Sequence, residues 1–196
     1  MNKIFEKLTN QLTETIDSSV ALALYNKNQE VEVIHLLWAL LTNTNSVLNQ
    51  LLNKMNVNKV AIELEAKSYA SKLPSVSSVT KESIKLSRNL VSSLQNAEGL
   101  MASFGDKFIA VDTWLISNLD SSVIKDVLGK YVDLKEAKKE LEAMRAGKTI
   151  DSNSGDENLE ALNKYGIDLN KKVYKGCSFI ISLPIIEKNN LEDYII

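Results

Sequence analysis

Apolar residues recur at every fourth position through the opening segment of the chain, with polar residues between them. Leu8, Leu12, Ile16, Val20 and Leu24 form this series, and the residues between them are mainly Thr, Asn, Glu, Asp and Ser. A spacing of four places such side chains on one face of an α-helix. The opening segment therefore predicts an amphipathic helix with one buried stripe.

Three more helices are predicted in the first 73 residues. The polar stretch 25–30 ends the first helix, and the almost wholly apolar stretch 31–41 predicts a short helix at the centre of a core. Stretches 47–55 and 59–73 predict two further helices. Pro74 disfavours helical geometry at the residue before it, so the fourth helix is expected to end there.

The second half of the chain repeats the apolar pattern of the first. At a spacing of 78 the matched pairs are Leu8 and Leu86, Leu12 and Leu90, Ile16 and Leu94, Leu22 and Leu100, Val31 and Ile109, Val33 and Val111, Leu37 and Leu115, and Leu41 and Leu119. With a one-residue loop adjustment, the tetrad Glu-Leu-Glu-Ala at 63–66 recurs at 140–143. A small repeat cannot bury its apolar face alone. The predicted fold is therefore all-α, a four-helix repeat duplicated about a pseudo-twofold axis.

The predicted domain spans residues 1–146, with repeats at about 1–74 and 80–146. The Ser-rich stretch 75–79 separates them, and Thr80 with Ser83 provides start signals for the next helix. The polar stretch 147–155 predicts that a flexible linker, 147–176, begins after the domain. Residues 177–196 crowd apolar side chains around Pro184 without a clear period, and we predict no fold for this tail.

Composition narrows the possible partners and location. Of 196 residues, 44% are hydrophobic, which is enough for a real core, and the 7 Gly and 2 Pro are few for an all-β protein. A net charge of −2 provides no field for gathering phosphate backbones, so nucleic acid is not an expected partner. No apolar run is long enough to span a membrane, and a single cysteine with no secretion signal favours a cytoplasmic location.

Residue chemistry favours a binding or assembly module over an enzyme. Gly147-Lys148-Thr149 is similar to the end of a phosphate-binding loop, but Glu142 stands where that loop needs its first glycine. The single histidine, His35, is about 140 residues from Cys177, so no nucleophile pair is expected. We expect His35 to be a core or helix-start histidine whose ring nitrogens meet backbone groups. No spacing typical of a metal site occurs.

Four stretches of the chain resemble the N-terminal (Clp N) domain of ClpB-type protein disaggregases. They are Lys-Leu-Thr-Asn at 7–10, Ile-His-Leu-Leu-Trp-Ala-Leu-Leu at 34–41, Gly-Asp-Lys-Phe-Ile at 105–109 and Ala-Leu-Asn-Lys-Tyr-Gly-Ile-Asp-Leu at 161–169. The resemblance covers about residues 1–176. The sequence departs from the family after Gly176, where the stretch leading into the first ATPase module is expected.

The resemblance implies a recognition role. In that family the N-terminal domain is tethered to two ATPase modules, which form a hexamer and thread aggregated protein through a pore. This chain is therefore expected to bind unfolded or aggregated protein clients, and to act with a DnaK-type chaperone system through the parent protein. No cofactor is expected in this chain, because ATP belongs to the ATPase modules of the parent. The isolated domain is expected to be a monomer.

The resemblance places substrate-binding positions on Thr9, Asp106 and Asp112. Each has a structural alternative: the two acids suit helix N-termini, where they cap or complement the dipole, and Thr9 suits a solvated helix position. If the acids form the rim of a groove, Asp106→Ala should weaken binding of Lys-rich clients with little loss of melting temperature.

The resemblance maps an apolar groove beside these residues partly onto Leu94 and Leu100, for which simple core packing is an equal alternative. Asn96 and Thr113 occupy places where relatives can carry leucine. On this mapping Thr113 belongs to the substrate-binding set, and Thr113→Leu should strengthen binding of apolar clients. An alternative function is an adaptor-docking domain of a protease-associated Clp unfoldase, which would recognise folded adaptors.

Overall fold

Eight α-helices account for most of the described chain. The structure is a computed structural model, and it describes residues 3–155. After a 3₁₀ turn over Lys3–Lys7, the helices of that range are α1 (Asn10–Tyr25), α2 (Val33–Thr42), α3 (Val47–Lys54), α4 (Lys59–Ser71), α5 (Arg88–Phe104), α6 (Val111–Asn118), α7 (Ser122–Val127) and α8 (Leu134–Arg145). The predicted four-plus-four arrangement is confirmed. The tail 177–196 and most of the predicted linker lie outside the described residues.

Short polar side chains determine where most helices begin. The side chains of Thr9, Ser46, Asn58, Ser87 and Asp133 each accept a hydrogen bond from a backbone N–H in the first turn of the following helix. These bonds satisfy N–H groups that have no partner within the helix. These five helices therefore start at positions that the local sequence specifies.

The core is organised around α2, the helix predicted to be central. Its residues from Val33 to Leu41 are all buried. Helices α1, α3, α4, α5 and α7 all contact it, and α6 of the second repeat contacts α3, α5 and α8. Buried residues of both repeats form one continuous hydrophobic cluster. A single core therefore joins the two halves.

Two short parallel pairings cross between the repeats. Val31 of β1 (Glu30–Val31) pairs with Leu86 of β2 (Lys85–Leu86), and Leu8 pairs with Ile109. A shift of 78 residues converts one pairing into the other, because Leu8 corresponds to Leu86 and Val31 to Ile109. The pseudo-twofold relation is thus visible in the backbone. Strands of two residues carry no recognisable period, so the sequence did not predict them.

The spacing between the repeats changes along the chain. The N-cap residues of α1 and α5, Thr9 and Ser87, are 78 positions apart. The later N-caps, Asn58 of α4 and Asp133 of α8, are 75 apart, because the second repeat is three residues shorter between the start of its second helix and the start of its third.

The predicted match between the two Glu-Leu-Glu-Ala tetrads is therefore wrong in register. Leu64 is 63% exposed, whereas Leu141 is 1% exposed and corresponds to the buried Ala66. The start signals assigned to Thr80 and Ser83 are also wrong. These residues hydrogen-bond to each other in a turn, and β2 intervenes before α5.

His35 lies at the start of α2 and is fully buried. Its Nδ1 accepts a hydrogen bond from the backbone N–H of Glu32 at 2.9 Å, so Nε2 carries the proton and donates to Oδ1 of Asn28 at 3.1 Å. The Asn28 side chain in turn donates to the carbonyl of Pro74 at 3.0 Å. The expected helix-start position is confirmed, although one ring nitrogen meets a side chain instead of the backbone.

Acid is expected to destabilise the fold through His35. Burial lowers the pKa of His35 from 6.5 to about 4, so the folded state resists a proton that the unfolded chain accepts. The contribution of neutral His35 to the free energy of unfolding is fully present above pH 6.5 and is lost as the pH falls toward 4. The total loss is about 3 kcal/mol at most. Urea unfolding across this range should show a smaller loss for His35→Gln than for the parent. Equal losses in both proteins would contradict this assignment.

Candidate functional site

The pairing of Leu8 with Ile109 brings the start of α1 against the loop that precedes α6. The backbone N–H of Thr9 donates to the carbonyl of Ile109 at 3.0 Å. The Thr9 side chain is fully buried, and its Oγ1 accepts from the backbone N–H of Leu12 at 3.3 Å. Thr9 therefore caps α1 and is not the solvated helix residue considered above.

Asp106, Asp112, Thr113 and Arg145 form a buried ion cluster beside this pairing. The Arg145 guanidinium donates to Asp112 at 2.9 Å and to the Thr113 hydroxyl at 3.0 Å, and it also contacts Asp106. Arg145 is only 4% exposed, and both carboxylates are buried. One guanidinium therefore holds two carboxylates from different segments.

Further hydrogen bonds stabilise the second oxygen of each carboxylate. Oδ1 of Asp112 accepts from the Thr113 backbone N–H at 2.7 Å, and Oδ1 of Asp106 accepts from the Ile150 backbone N–H at 2.8 Å. Burial raises the pKa of Asp112 above its usual value, while Arg145 and the Thr113 N–H act in the opposite direction. The cluster fixes the positions of its members and provides no accessible acid or base.

The first repeat builds a neutral version of the same arrangement. Asn28 and His35 stand 78 positions before Asp106 and Thr113, and Ala70 stands 75 positions before Arg145. The large side chain comes from α2 in one repeat and from α8 in the other. A neutral imidazole pairs with an amide, and a guanidinium pairs with carboxylates. The ion cluster is thus the charged counterpart of the His35 hydrogen bonds.

The ion cluster supports an aromatic side chain at the surface. The Phe104 ring lies over the Arg145 guanidinium, with 4.3 Å between the guanidinium carbon and the ring centre. Phe104 and Leu100 are half-buried, and Asn96 is exposed. These three residues follow each other at intervals of four along one face of α5. We refer to Asn96, Leu100 and Phe104 as the α5 edge.

The structure brings most of the predicted site residues together but buries them. Thr9, Asp106, Asp112 and Thr113 surround the junction of the repeats, whereas Leu94 is 0% exposed and packs in the core. The core alternative holds for Leu94, and Leu100 lies partly at the surface. The two acids do not form an exposed rim, because Arg145 and backbone N–H groups already satisfy them. Their role in binding stays a prediction and would have to act through Arg145 and Phe104.

Two expected variant effects need correction for the same reason. Asp106→Ala removes a partner of a buried guanidinium, so it should lower the melting temperature substantially. Thr113→Leu removes an acceptor of Arg145 at a fully buried position and inserts a larger side chain there. Neither variant can therefore separate an effect on client binding from an effect on stability.

Sequence reasoning missed Arg145, Phe104 and Ile150. A signal for Arg145 was present, because it continues the buried stripe of α8 at intervals of four after Ala137 and Leu141. An arginine on an apolar stripe indicates a buried anionic partner. Nothing comparable marks Phe104, since its place over the Arg145 guanidinium depends on the tertiary structure.

Within residues 3–155, the structure contains no group of His, Cys, Asp and Glu side chains suited to a metal ion. In the same range no helix is long and apolar enough to cross a membrane. The ion cluster at the junction can position the Phe104 ring and the segment around Ile150.

Known proteins resemble this chain in sequence and in fold. Residues 7–131 match the family model described as the Clp repeat (R) N-terminal domain. The chaperone protein ClpB of Wolinella succinogenes is 55% identical over 172 residues, which are 88% of this chain and 20% of the relative. The chain thus spans about a fifth of the length of that relative.

Solved structures support the same fold. The N-terminal domain of Hsp104 from Candida albicans superimposes with a TM-score of 0.69 and 22% identity, covering 76% of this chain and 99% of that domain. A ClpV N-domain, solved as a complex with a VipB peptide, superimposes with a TM-score of 0.57 and 18% identity over 74% of this chain and 91% of that one. At these identities the likeness concerns the fold alone.

Removing the guanidinium should destabilise the domain far more than removing a surface cation. Arg145→Met leaves two buried carboxylates without their partner and should lower the free energy of unfolding by about 3–5 kcal/mol. Lys7→Met is the matched control, since Lys7 is 46% exposed in its ion pair with Glu98, and it should cost less than about 1 kcal/mol. Denaturant unfolding measures both. Equal, small losses would mean that the ion cluster is not structural.

Proposed function

We propose that this chain, which belongs to the Clp repeat (R) N-terminal domain family, recognises unfolded or aggregated polypeptide for a ClpB-type chaperone. The family model covers well over half of the chain, from residue 7 to residue 131. We assign capture of the polypeptide client to this domain. We assign disaggregation to a full-length chaperone of the ClpB type, such as the relative described above.

The observation that carries this proposal is the α5 edge. Leu100 and Phe104 present a narrow apolar surface, and the Arg145 guanidinium supports the Phe104 ring from below. An unfolded client offers apolar side chains without a fixed shape. A shallow edge of this kind can bind such side chains weakly and without strict complementarity.

The ion cluster has an indirect part in this function. Asp106 and Asp112 hold Arg145, and Arg145 positions Phe104, so the predicted binding acids act as positioning residues. Because both carboxylates are buried and already paired, we do not expect them to select lysine-rich clients. Selection at the α5 edge should depend on apolar and aromatic content.

Weak capture suits a tethered domain. If the parent protein assembles as a hexamer, six such domains raise the local concentration of binding sites without tight binding at any one of them. ATP hydrolysis, threading and cooperation with a DnaK-type system are proposals about that parent. The binding role proposed for this chain does not require it to catalyse a reaction.

A second candidate function is docking of a folded adaptor. Val60 and Leu64 are 56% and 63% exposed and lie one turn apart on α4. A convex apolar pair of this kind suits a partner with a preformed recess. Tight binding of a folded adaptor, combined with no binding of unfolded protein, would favour this alternative.

Enlarging the apolar surface of the α5 edge should strengthen client binding. Asn96→Leu adds an exposed leucine beside Leu100, and partial burial of that side chain should increase affinity about fivefold. Titration of reduced, labelled casein against the protein measures the change. Leu100→Ser should weaken the same binding.

Asn53→Leu is the matched control, because it makes the same chemical change at an exposed position on α3, outside the α5 edge. Its affinity for casein should equal that of the parent. If Asn96→Leu and Asn53→Leu bind casein equally, the α5 edge is not the capture surface. If no variant binds casein at any concentration, the proposed function itself fails.

A further inference from the structure

The segment that follows α8 turns back onto the junction of the two repeats. The Ile150 N–H donates to Asp106 at 2.8 Å, and the Ile150 carbonyl accepts from the Lys107 N–H at 2.9 Å. Three residues later, the Asn153 carbonyl accepts from the N–H of Asn10 at 2.7 Å. A stretch that the sequence places in a flexible linker therefore follows a defined path across both repeats.

One side chain anchors this stretch. Ile150 is fully buried against Ala110 and Phe108, whereas the residues on either side of it, Thr149 and Asp151, are exposed. The N–H of Ile150 bonds to the Asp106 side chain and its carbonyl to the Lys107 backbone, so both polar backbone groups of this residue are held by consecutive residues. We refer to Asp106, Lys107, Phe108 and Ala110 as the Ile150 site.

The corresponding place in the first repeat also holds an extended segment. Asn28, the counterpart of Asp106, donates to the carbonyls of Leu73 and Pro74 and forms a bridge with Ser75. Both repeats thus bind chain segments at the same position. In the first repeat the segment runs on into β2, which is paired with β1, so it is held at both ends. In the second repeat the anchor is Ile150.

We infer that the Ile150 site is a docking site for an extended peptide with a β-branched aliphatic side chain, and that residues 148–153 occupy it as an internal competitor. This inference deepens the proposed function, because it names a second surface through which the domain would bind unfolded chain. Burial of the Ile150 side chain favours the bound segment, whereas the loss of conformational entropy on ordering residues 148–153 disfavours it. Such a balance allows the segment to leave and an incoming peptide to replace it.

The polar groups of the site determine which ligand fits. Arg145 holds one oxygen of Asp106, and the other oxygen points to the Ile150 N–H. Departure of Ile150 leaves this buried oxygen and the Lys107 N–H without partners, which is unfavourable. A replacement that restores these contacts supplies an N–H donor, a carbonyl acceptor and an apolar side chain from one residue. An extended polypeptide provides all three.

Native-state hydrogen exchange of the full chain tests whether the segment can leave. The Lys107 amide should exchange at least about tenfold faster than the amide of Leu37 in α2. Low concentrations of urea should not accelerate its exchange, because departure of the segment is a local opening and not global unfolding. Exchange of Lys107 only through global unfolding would overturn the inference. This measurement needs no variant, so it decides the question even if a substitution prevents folding.

Peptide binding tests the ligand. The probe is a synthetic peptide with the sequence of residues 146–155, and its control carries serine in place of isoleucine. Ile150→Ser should bind the probe at least about fivefold more tightly than the parent, since the internal competitor has lost its anchor. Ile150→Val, which keeps a β-branched side chain, should match the parent, and the serine peptide should not bind. Equal or absent binding of the probe by Ile150→Ser and the parent overturns the inference.

Casein separates this inference from the proposed function. If the probe peptide binds Ile150→Ser but casein binds no variant, the Ile150 site stands and the proposed function fails. If casein binds and responds to Asn96→Leu while the probe never binds, the proposed function stands and the Ile150 site is wrong.

Discussion

The fold depends on the crossed parallel pairing between the two repeats. Leu8 of the first repeat pairs with Ile109 of the second, and Leu86 of the second pairs with Val31 of the first. Each repeat thus supplies the segment before its first helix to the other repeat, and both first helices start directly after the pairing. The backbone N–H groups of Thr9 and Ser87 donate across the two crossings at the same distance, 3.0 Å. Because these contacts run between the repeats, packing within one repeat alone does not complete either of them.

The two repeats place different buried polar side chains at corresponding positions beside the crossed pairings. Beside one crossing, a buried neutral histidine is held by an amide, and beside the other a buried arginine is held by two carboxylates. The neutral arrangement is sensitive to acid through His35. The charged arrangement adds a functional possibility, because the guanidinium face that the carboxylates leave open lies beneath Phe104. The asymmetry between the repeats therefore places the apolar α5 edge and the Ile150 site on the second repeat.

Local sequence predicted much of this architecture, because helices are specified by short-range periodicity. The series from Leu8 to Leu24, the apolar block 31–41 and the Pro74 boundary each correspond to a helix, but Leu8 and Val31 lie in the pairings that precede α1 and α2, and α4 ends at Ser71. The tetrad match failed because identical letters do not ensure identical faces: Leu64 points to solvent and Leu141 into the core. The groove-rim alternative for the two acids required them to be exposed, and they are buried. Charge alone indicates exposure unless a buried counter-ion is known. That counter-ion, Arg145, lies 39 residues beyond Asp106, and only the packing of α8 brings the two together.

The crossed pairing also bears on how such a chain could have arisen. Two identical copies of a single four-helix unit could form both crossings with each other, since each contact is the symmetry mate of the other. The present arrangement places the equivalent of such a pair within one polypeptide. Residues 75–79 act as the covalent tether, and they make an association that would depend on concentration into one that does not. Joined in this way, the two halves need not be identical, and corresponding positions hold His35 in the first half and Thr113 in the second.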